Sequence, residues 1–465
     1  MLDAISRRGY TSTLCLIAAW CLASCATPPK VDAIVNQTPD AGTPTRIVNA
    51  RGPLTQAEGK ALIARSARNH KGADLLQDHL LIEQEIAETP LVAGNDVHLL
   101  RDGEQTFNAM FSLIRQARQH IHLEYFIFED VQHHGESLGD LLIAKRKAGV
   151  AVDVIYDGIG SITTPPAFFE RLRSAGVQVV TFNPIDLAHA PDINNRDHRK
   201  ILIADGESAI VGGINLSLSY ESSRLRRSAG IATHRPEHWR DTDLLIRGPA
   251  VDQLQRLFMQ HWAEQHGPAL SEPDLFPDHT NRGKEIVRII GSSPEDALPR
   301  YYVTLLSAIR NAEQSIYLSS AYFVPTEDEK KDLIAAAQRG VEVSIFVPGV
   351  SDSPAAIRVQ HSHYEDLLEA GIKIYESEHE VLHAKTICID GVWSVIGSSN
   401  IDHRSALLNA EVDVVVIGVE TARELRAMFE DDIRQATPIR LDVWKKRPLW
   451  QRIRDRMARF WEGML

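Results

Sequence analysis

The first patterned stretch of the chain is an apolar run, Leu14 to Ala23, behind a basic start at Arg7 and Arg8. As a helix, these ten residues are too short to cross about 30 Å of hydrocarbon. A basic start and a short apolar run predict an export signal over residues 1–24. Pro28, Pro29, Pro39 and Pro44 follow among Thr and Asn. That composition predicts a flexible tether over residues 25–53. Apolar spacing then predicts amphipathic helices over 54–70 and 73–88, within a helical segment 54–94.

From about Asn95 the pattern alternates between strands and helices. Strands are predicted over 121–127, 150–156 and 177–182, with helices over 138–148 and 168–175. The same order recurs as strands over 315–324, 341–347 and 372–375, with helices over 331–339 and 364–370. Gly149 and Gly340 precede matching strands. This alternation predicts an α/β fold with mixed sheets, duplicated as halves 95–270 and 286–437. Two such halves commonly pack about a pseudo-twofold axis and share one cleft.

The length of 465 residues is ample for a buried core, which excludes a disordered or disulfide-stapled peptide. Fifty basic and 62 acidic side chains give a formal charge of −12, which argues against a nucleic-acid partner. Cys15, Cys21 and Cys25 crowd the N-terminus, leaving Cys388 alone in the body. No intrachain disulfide or cysteine metal site is therefore expected there. Cys388 alternates with apolar neighbours and reads as a core residue. His361 and His363 lack a third metal ligand nearby and read as a solvated helix start.

One motif stands near the end of each repeat. His198, Lys200 and Asp205 are followed by Gly212, Gly213 and Asn215; His383, Lys385 and Asp390 by Gly397, Ser398 and Asn400. His, Lys, Asp, Gly and Asn all recur at an offset of 185. On a strand, His and Lys two apart face the same way. The glycines permit close backbone approach, and each asparagine follows a turn. Together the halves offer two imidazoles, two ammonium groups and two amides.

That set suits a phosphodiester. Lys200, Lys385, Asn215 and Asn400 can hold its non-bridging oxygens. One imidazole can attack phosphorus while the other handles the leaving-group proton. The lysines supply the electrostatics a metal would bring, so neither metal nor cofactor is expected. Asp205 and Asp390 complete the catalytic motif, yet seven residues on they point along the strand and read as structural. Asp241 and Glu411, aligned at an offset of 170, are the expected His-orienting acids.

The paired H-x-K-x4-D motifs resemble the phospholipase D superfamily. The runs Tyr156–Ser161, Asp197–Lys200, Gly212–Asn215 and Asn400–Ser405 leading to Glu411 are similar to bacterial cardiolipin synthases. The resemblance implies two α/β halves, a metal-free shared site, and a phosphohistidine on His198 with His383 as general acid. It implies phosphatidyl transfer between phospholipids, with phosphatidylglycerol the expected substrate. Hydrolysis to phosphatidic acid uses the same groups and stays open; a nuclease-type phosphodiesterase is disfavoured by charge.

Leu22-Ala23-Ser24-Cys25 resembles a bacterial lipobox, which would lipidate Cys25. The alternatives are a plain signal peptide or an uncleaved anchor. Ala26 in place of Asp favours the outer membrane, on the periplasmic side, by resemblance to Gram-negative lipoproteins. Residues 440–465 carry eight basic residues against three acidic ones. Trp450, Ile453, Met457, Phe460 and Trp461 recur near helical spacing there. This predicts an amphipathic tail helix for a membrane surface, or one packed on the body.

Overall fold

Continuous apolar runs such as Ile201-Leu-Ile-Ala204 form strands covered on both faces, and each of these residues is buried. In the first half, Gln178–Phe182, Ala151–Asp157 and His120–Tyr125 lie parallel. Lys200–Ala204, Ser208–Gly212, Asp243–Arg247 and Leu91–Leu100 continue the sheet antiparallel. The second half repeats this order. Lys373–Ser377, Glu342–Pro348 and Ser315–Ser319 lie parallel. Thr386–Ile389, Trp393–Gly397, Asn409–Ile417 and Glu285–Ser292 follow antiparallel. The computed structural model describes residue 31 and residues 45–67, 73–185, 193–220, 239–270, 275–351, 353–378 and 380–464.

Local chemistry sets the element ends. The helix Gly103–Gln116 is capped by the Asp102 carboxylate and buries Phe107, Met110, Phe111 and Ile114 along one face. Thr326 and Glu329 close a capping box on the helix Glu327–Gln338. Gly149 and Gly340 end matching helices with φ of 92° and 94°, a left-handed turn that glycine adopts without strain.

Three strand pairings among the described residues join the halves. Leu91–Leu100 pairs with Asp243–Arg247 over 96–100 and with Glu285–Ser292 over 92–95, shifting register at Glu285/Ile286. Shorter strands then cross reciprocally. Arg196–Asp197 runs parallel to Asn409–Ala410, and Trp239–Arg240 runs parallel to Val381–Leu382. One core layer contains Ile201, Ile203 and Val211 together with Ile396, Val412 and Val414.

Several expected boundaries shift. Within the expected tether, Ile47–Asn49 and Gly52–Pro53 form a hairpin, and Ile47 pairs with Leu91. Val31 is buried among Ile82, Ile86, Tyr302, Val303 and Leu306. The segment 54–94 is not wholly helical, because the strand that fuses the sheets begins at Leu91. The helix expected over 364–370 is Pro354–Glu369, so His361 and His363 lie mid-helix rather than at a solvated start. His361 bonds Glu376, and His363 is fully buried. The tail is two helices, Leu441–Trp444 and Leu449–Ala458, and a 3-10 turn Arg459–Met464. Residues 1–24 and Cys25 lie outside the described residues.

The helix Ala73–Ala87 is keyed into the second half by one buried carboxylate. Glu83 meets Arg288 at 2.7 Å, His79 at 3.0 Å and the Trp393 indole N–H at 3.0 Å. Burial opposes its charge, but Arg288 and His79 hold its pKa below the usual range. Glu83→Ala leaves the Arg288 guanidinium buried and unpaired. We expect a loss of about 3–5 kcal/mol of stability, read from denaturant unfolding. A midpoint equal to wild type would show that this helix adds nothing to the fold.

Candidate active site

The reciprocal strands deliver each motif histidine to the other half. The His198 amide donates to the Ala410 carbonyl at 2.9 Å, and the His383 amide to the Arg240 carbonyl at 2.7 Å. The ring nitrogens cross in the same way. His198 Nδ1 lies 3.0 Å from Glu411, and His383 Nδ1 lies 2.7 Å from Asp241. Each Nδ1 is thereby held, which leaves Nε2 for chemistry. The sequence singled out both acids but left open which histidine each serves; only the crossed assembly decides it.

Lys200 and Lys385 reach back to the carbonyls of His198 and His383. Both lysines are buried, at 1% and 4% exposure, so neither is a solvated surface charge. Burial pulls Lys200 down to about 7. Burial and the charges of Lys200 and Lys385 hold His198 well below the usual histidine range. Burial and Lys385 likewise bring His383 to about 4. Burial pushes Glu411 up to about 7 against the pull of Lys200. Burial raises Asp241 too, but Lys385 and His383 outweigh it and leave it below the usual carboxylate range.

Asn215 and Asn400 line one cleft with His198, His383, Phe126, Trp239, Tyr322 and Arg404. The Asn215 Oδ1 accepts from the Ile127 amide at 3.1 Å, which orients its amide group. Beside each asparagine turn stands a buried acid. Asp243 accepts from the Ile214 amide at 3.0 Å, and Asp413 from the Ser399 hydroxyl at 2.5 Å. Burial raises both, Asp413 to about 8. The small residues have different tasks in the two halves. A Cβ at Gly213 would lie 2.2 Å from Asp241, whereas Ser398, its counterpart, donates to Glu411 at 2.5 Å.

Asp205 and Asp390 are not in the cleft, which corrects their place in the catalytic set. Asp205 accepts the backbone amides of Arg118, Gln119 and His120. Asp390 accepts those of Glu313, Gln314 and Ser315. Both have positive φ, at 55° and 52°, and pin the turn after one strand to the start of its neighbour. Cys388 is buried as expected.

Sequence reading missed a buried network beneath His198. Arg199 Nε donates to the Glu411 carbonyl at 3.2 Å, Nη2 to the Ser292 carbonyl at 3.1 Å, and Nη1 meets Glu124 at 3.3 Å. His261 lies 2.8 Å from Glu124. Glu124, Asp197 and His261 converge as metal ligands would. Here the Arg199 guanidinium already sits on Glu124 as the cation. The motif position of Arg199 is Ala384 in the second half, so sequence spacing carried no symmetric signal.

Duplicated imidazole and amide groups lining one cleft, each imidazole backed by a buried lysine, define a phosphodiester-transfer site. The family described as "Cardiolipin synthase, PLD-like domain" matches residues 110–262 and 305–433. Cardiolipin synthase of Geobacillus sp. (strain WCH70) is 35% identical over 391 residues, spanning 83% of this chain and 76% of that protein. Cardiolipin synthase 2 of Bacillus anthracis is 32% identical over 404 residues, spanning 86% and 76%. The crystal structure of phosphatidylserine synthase from Haemophilus influenzae Rd KW20 shares the fold, with a TM-score of 0.58 at 12% identity over 82% of this chain and 99% of that one. The chain belongs to the cardiolipin synthase family of phospholipase D-like enzymes.

Glu411 must be ionised to accept the His198 Nδ1–H, and Lys200 must be protonated to hold an anion. Glu411 gains its charge as pH rises through about 7. Lys200 loses its charge as pH rises through about 7. We expect kcat/KM to be bell-shaped with both limbs near neutrality. Glu411→Gln should flatten the acid limb and lower the rate by about 10²–10⁴. A pH–rate series on the variant that keeps the wild-type acid limb would remove Glu411 from this role.

Proposed function

We propose that this enzyme transfers the phosphatidyl group of phosphatidylglycerol to a second phospholipid or an alcohol by two displacements at one phosphorus. The crossed pair His198–Glu411 and His383–Asp241 carries the reading. His198 Nε2 attacks phosphorus, and the bond to the headgroup oxygen breaks. His383 Nε2–H protonates the departing alkoxide. The acceptor hydroxyl then gives its proton to His383 and attacks, breaking the phosphorus–nitrogen bond. Lys200, Lys385, Asn215 and Asn400 hold the non-bridging oxygens throughout. The bound phosphate anion opposes the positive charges that depress His383, which favours its protonated form when substrate is present.

The expected result with vesicles of phosphatidylglycerol and phosphatidylethanolamine in EDTA is cardiolipin or an exchanged headgroup. Lipid mass spectrometry would read the products, and His198→Ala should make none. Phosphatidic acid as the sole product would mean hydrolysis instead.

The same reading places the enzyme on a lipid surface, as an exported lipoprotein of the periplasmic face and outer membrane. The apolar run and Leu22–Cys25 support export and lipidation. The tail supports docking. Arg452 bonds Glu365 and Arg459 bonds Ser362, so these arginines face the body. Leu449, Trp450, Ile453, Met457, Phe460 and Trp461 face out, with Phe460 87% exposed. Arg454 and Arg456 remain exposed beside them. The helix Pro354–Glu369 under the tail begins beside the cleft-lining residues Ser353 and Ala356. Deleting 448–465 should weaken vesicle flotation of the body while sparing turnover of a soluble short-chain lipid. Cys25→Ser should move the full chain out of the envelope fraction. Undiminished flotation of the truncated body would discard the docking role, and an unchanged fraction would discard the lipid anchor.

A further inference from the structure

The reacting phosphate is served by groups that occur twice. The cleft also holds two guanidinium groups that occur once. In the 185-residue motif frame, Arg196 corresponds to Val381 and Arg404 to Ser219. Both arginines line the cleft beside His198 and His383. Consecutive carbonyls fix them side by side. Arg196 Nε donates to the Asn195 carbonyl at 2.5 Å, and Arg404 Nη2 to the Asn194 carbonyl at 2.9 Å.

Their charges are under-compensated. Arg196 is 4% exposed, and its Nη2 has no partner. Among the described residues its one carboxylate contact is Asp157 at 3.3 Å. Asp157 also accepts the amides of Ile159, Gly160 and Asp197. No carboxylate among the described residues lies within ion-pair distance of Arg404. The nearby Asp402 carboxylate accepts the Ser405 amide as a helix cap, and burial raises it to about 7. Two adjacent, partly desolvated guanidinium groups recognise an oxyanion by paired charge-assisted hydrogen bonds.

We infer that Arg196 and Arg404 form a second anion subsite, which holds the phosphodiester of the acceptor lipid while the duplicated set holds the reacting phosphorus. This rests on the transferase reading above and names its acceptor class. Water and glycerol bring no second phosphate; a phospholipid acceptor brings one. The subsite therefore favours lipid-to-lipid transfer over hydrolysis and over exchange with a small alcohol.

The test compares acceptors on one donor, phosphatidylglycerol in detergent micelles, for wild type, Arg404→Gln and Arg404→Lys. Arg404 is half-buried at the cleft wall, which makes it the milder site to change. Three readouts are cardiolipin formation, exchange of labelled glycerol into the donor, and transfer to soluble glycerol 3-phosphate. Arg404→Gln should reduce cardiolipin formation about tenfold to a hundredfold more than it reduces glycerol exchange. Arg404→Lys should recover part of that ratio. Wild type should prefer glycerol 3-phosphate to glycerol, and Arg404→Gln should lose the preference, which separates recognition of phosphate from recognition of acyl chains. Equal losses across the three acceptors would overturn the subsite while leaving the transferase intact. A wild-type enzyme that neither exchanges glycerol nor makes cardiolipin would overturn the transferase reading and the subsite with it.

Discussion

The whole site depends on two buried imidazole–carboxylate bonds that cross between the halves. A carboxylate at zero exposure, as Glu411 and Asp241 are, is strongly disfavoured unless partners satisfy it. Glu411 finds His198, Ser398 and Asn409, and Asp241 finds His383, Tyr220 and the Thr242 amide. In each case the histidine comes from the other repeat. Neither half supplies the imidazole that its own acid holds. The short parallel strands 196–197 with 409–410 and 239–240 with 381–382 carry each histidine to the other half's acid.

That constraint shapes the electrostatics. A buried lysine stands against each cleft histidine, and Lys200 and Lys385 together lower the proton affinity of both His198 and His383. These positive charges suit the anionic oxygens of a phosphodiester. Binding energy and preorganisation act on the same atoms. The arrangement also explains why both arms of the duplication persist. Under the proposed mechanism, in-line displacement needs a nucleophile and an acid on opposite sides of phosphorus, and each half contributes one imidazole to the cleft.

Much of this was legible in residue spacing. The 185-residue offset of His, Lys, Gly and Asn identified the cleft set, and the 170-residue offset identified Asp241 and Glu411, because duplication leaves a record in one dimension. Two kinds of feature left no such record. The crossing of the dyads is a property of three-dimensional assembly. The Arg199–Glu124–His261 network exists in one half only. Asp205 and Asp390 share the motif with the histidines yet lie at the far end of the strand, where three backbone amides need an acceptor. Motif membership marks a shared ancestor of the two turns, while contact with the cleft depends on strand direction. In the tail, periodicity gave the two faces, while the contacts that turn Arg452 and Arg459 toward Glu365 and Ser362 on the body left no mark in the spacing.

A duplicated site is symmetric by origin, whereas transfer between two lipids is not symmetric in its demands. One lipid presents phosphorus to the histidines, and the other presents a hydroxyl while keeping its own phosphate intact. An enzyme with only duplicated groups has no means to tell the two anions apart. The departures from the repeat are where such a distinction is built. Arg199 against Ala384 stiffens the backbone behind one dyad, and Arg196 and Arg404 against Val381 and Ser219 charge one part of the cleft wall. The exposed apolar tail adds a further asymmetry, because only the second half carries it, packed on the helix that starts at the cleft. Symmetric residues account for bond making and breaking, and the unpaired residues account for which lipid occupies which place.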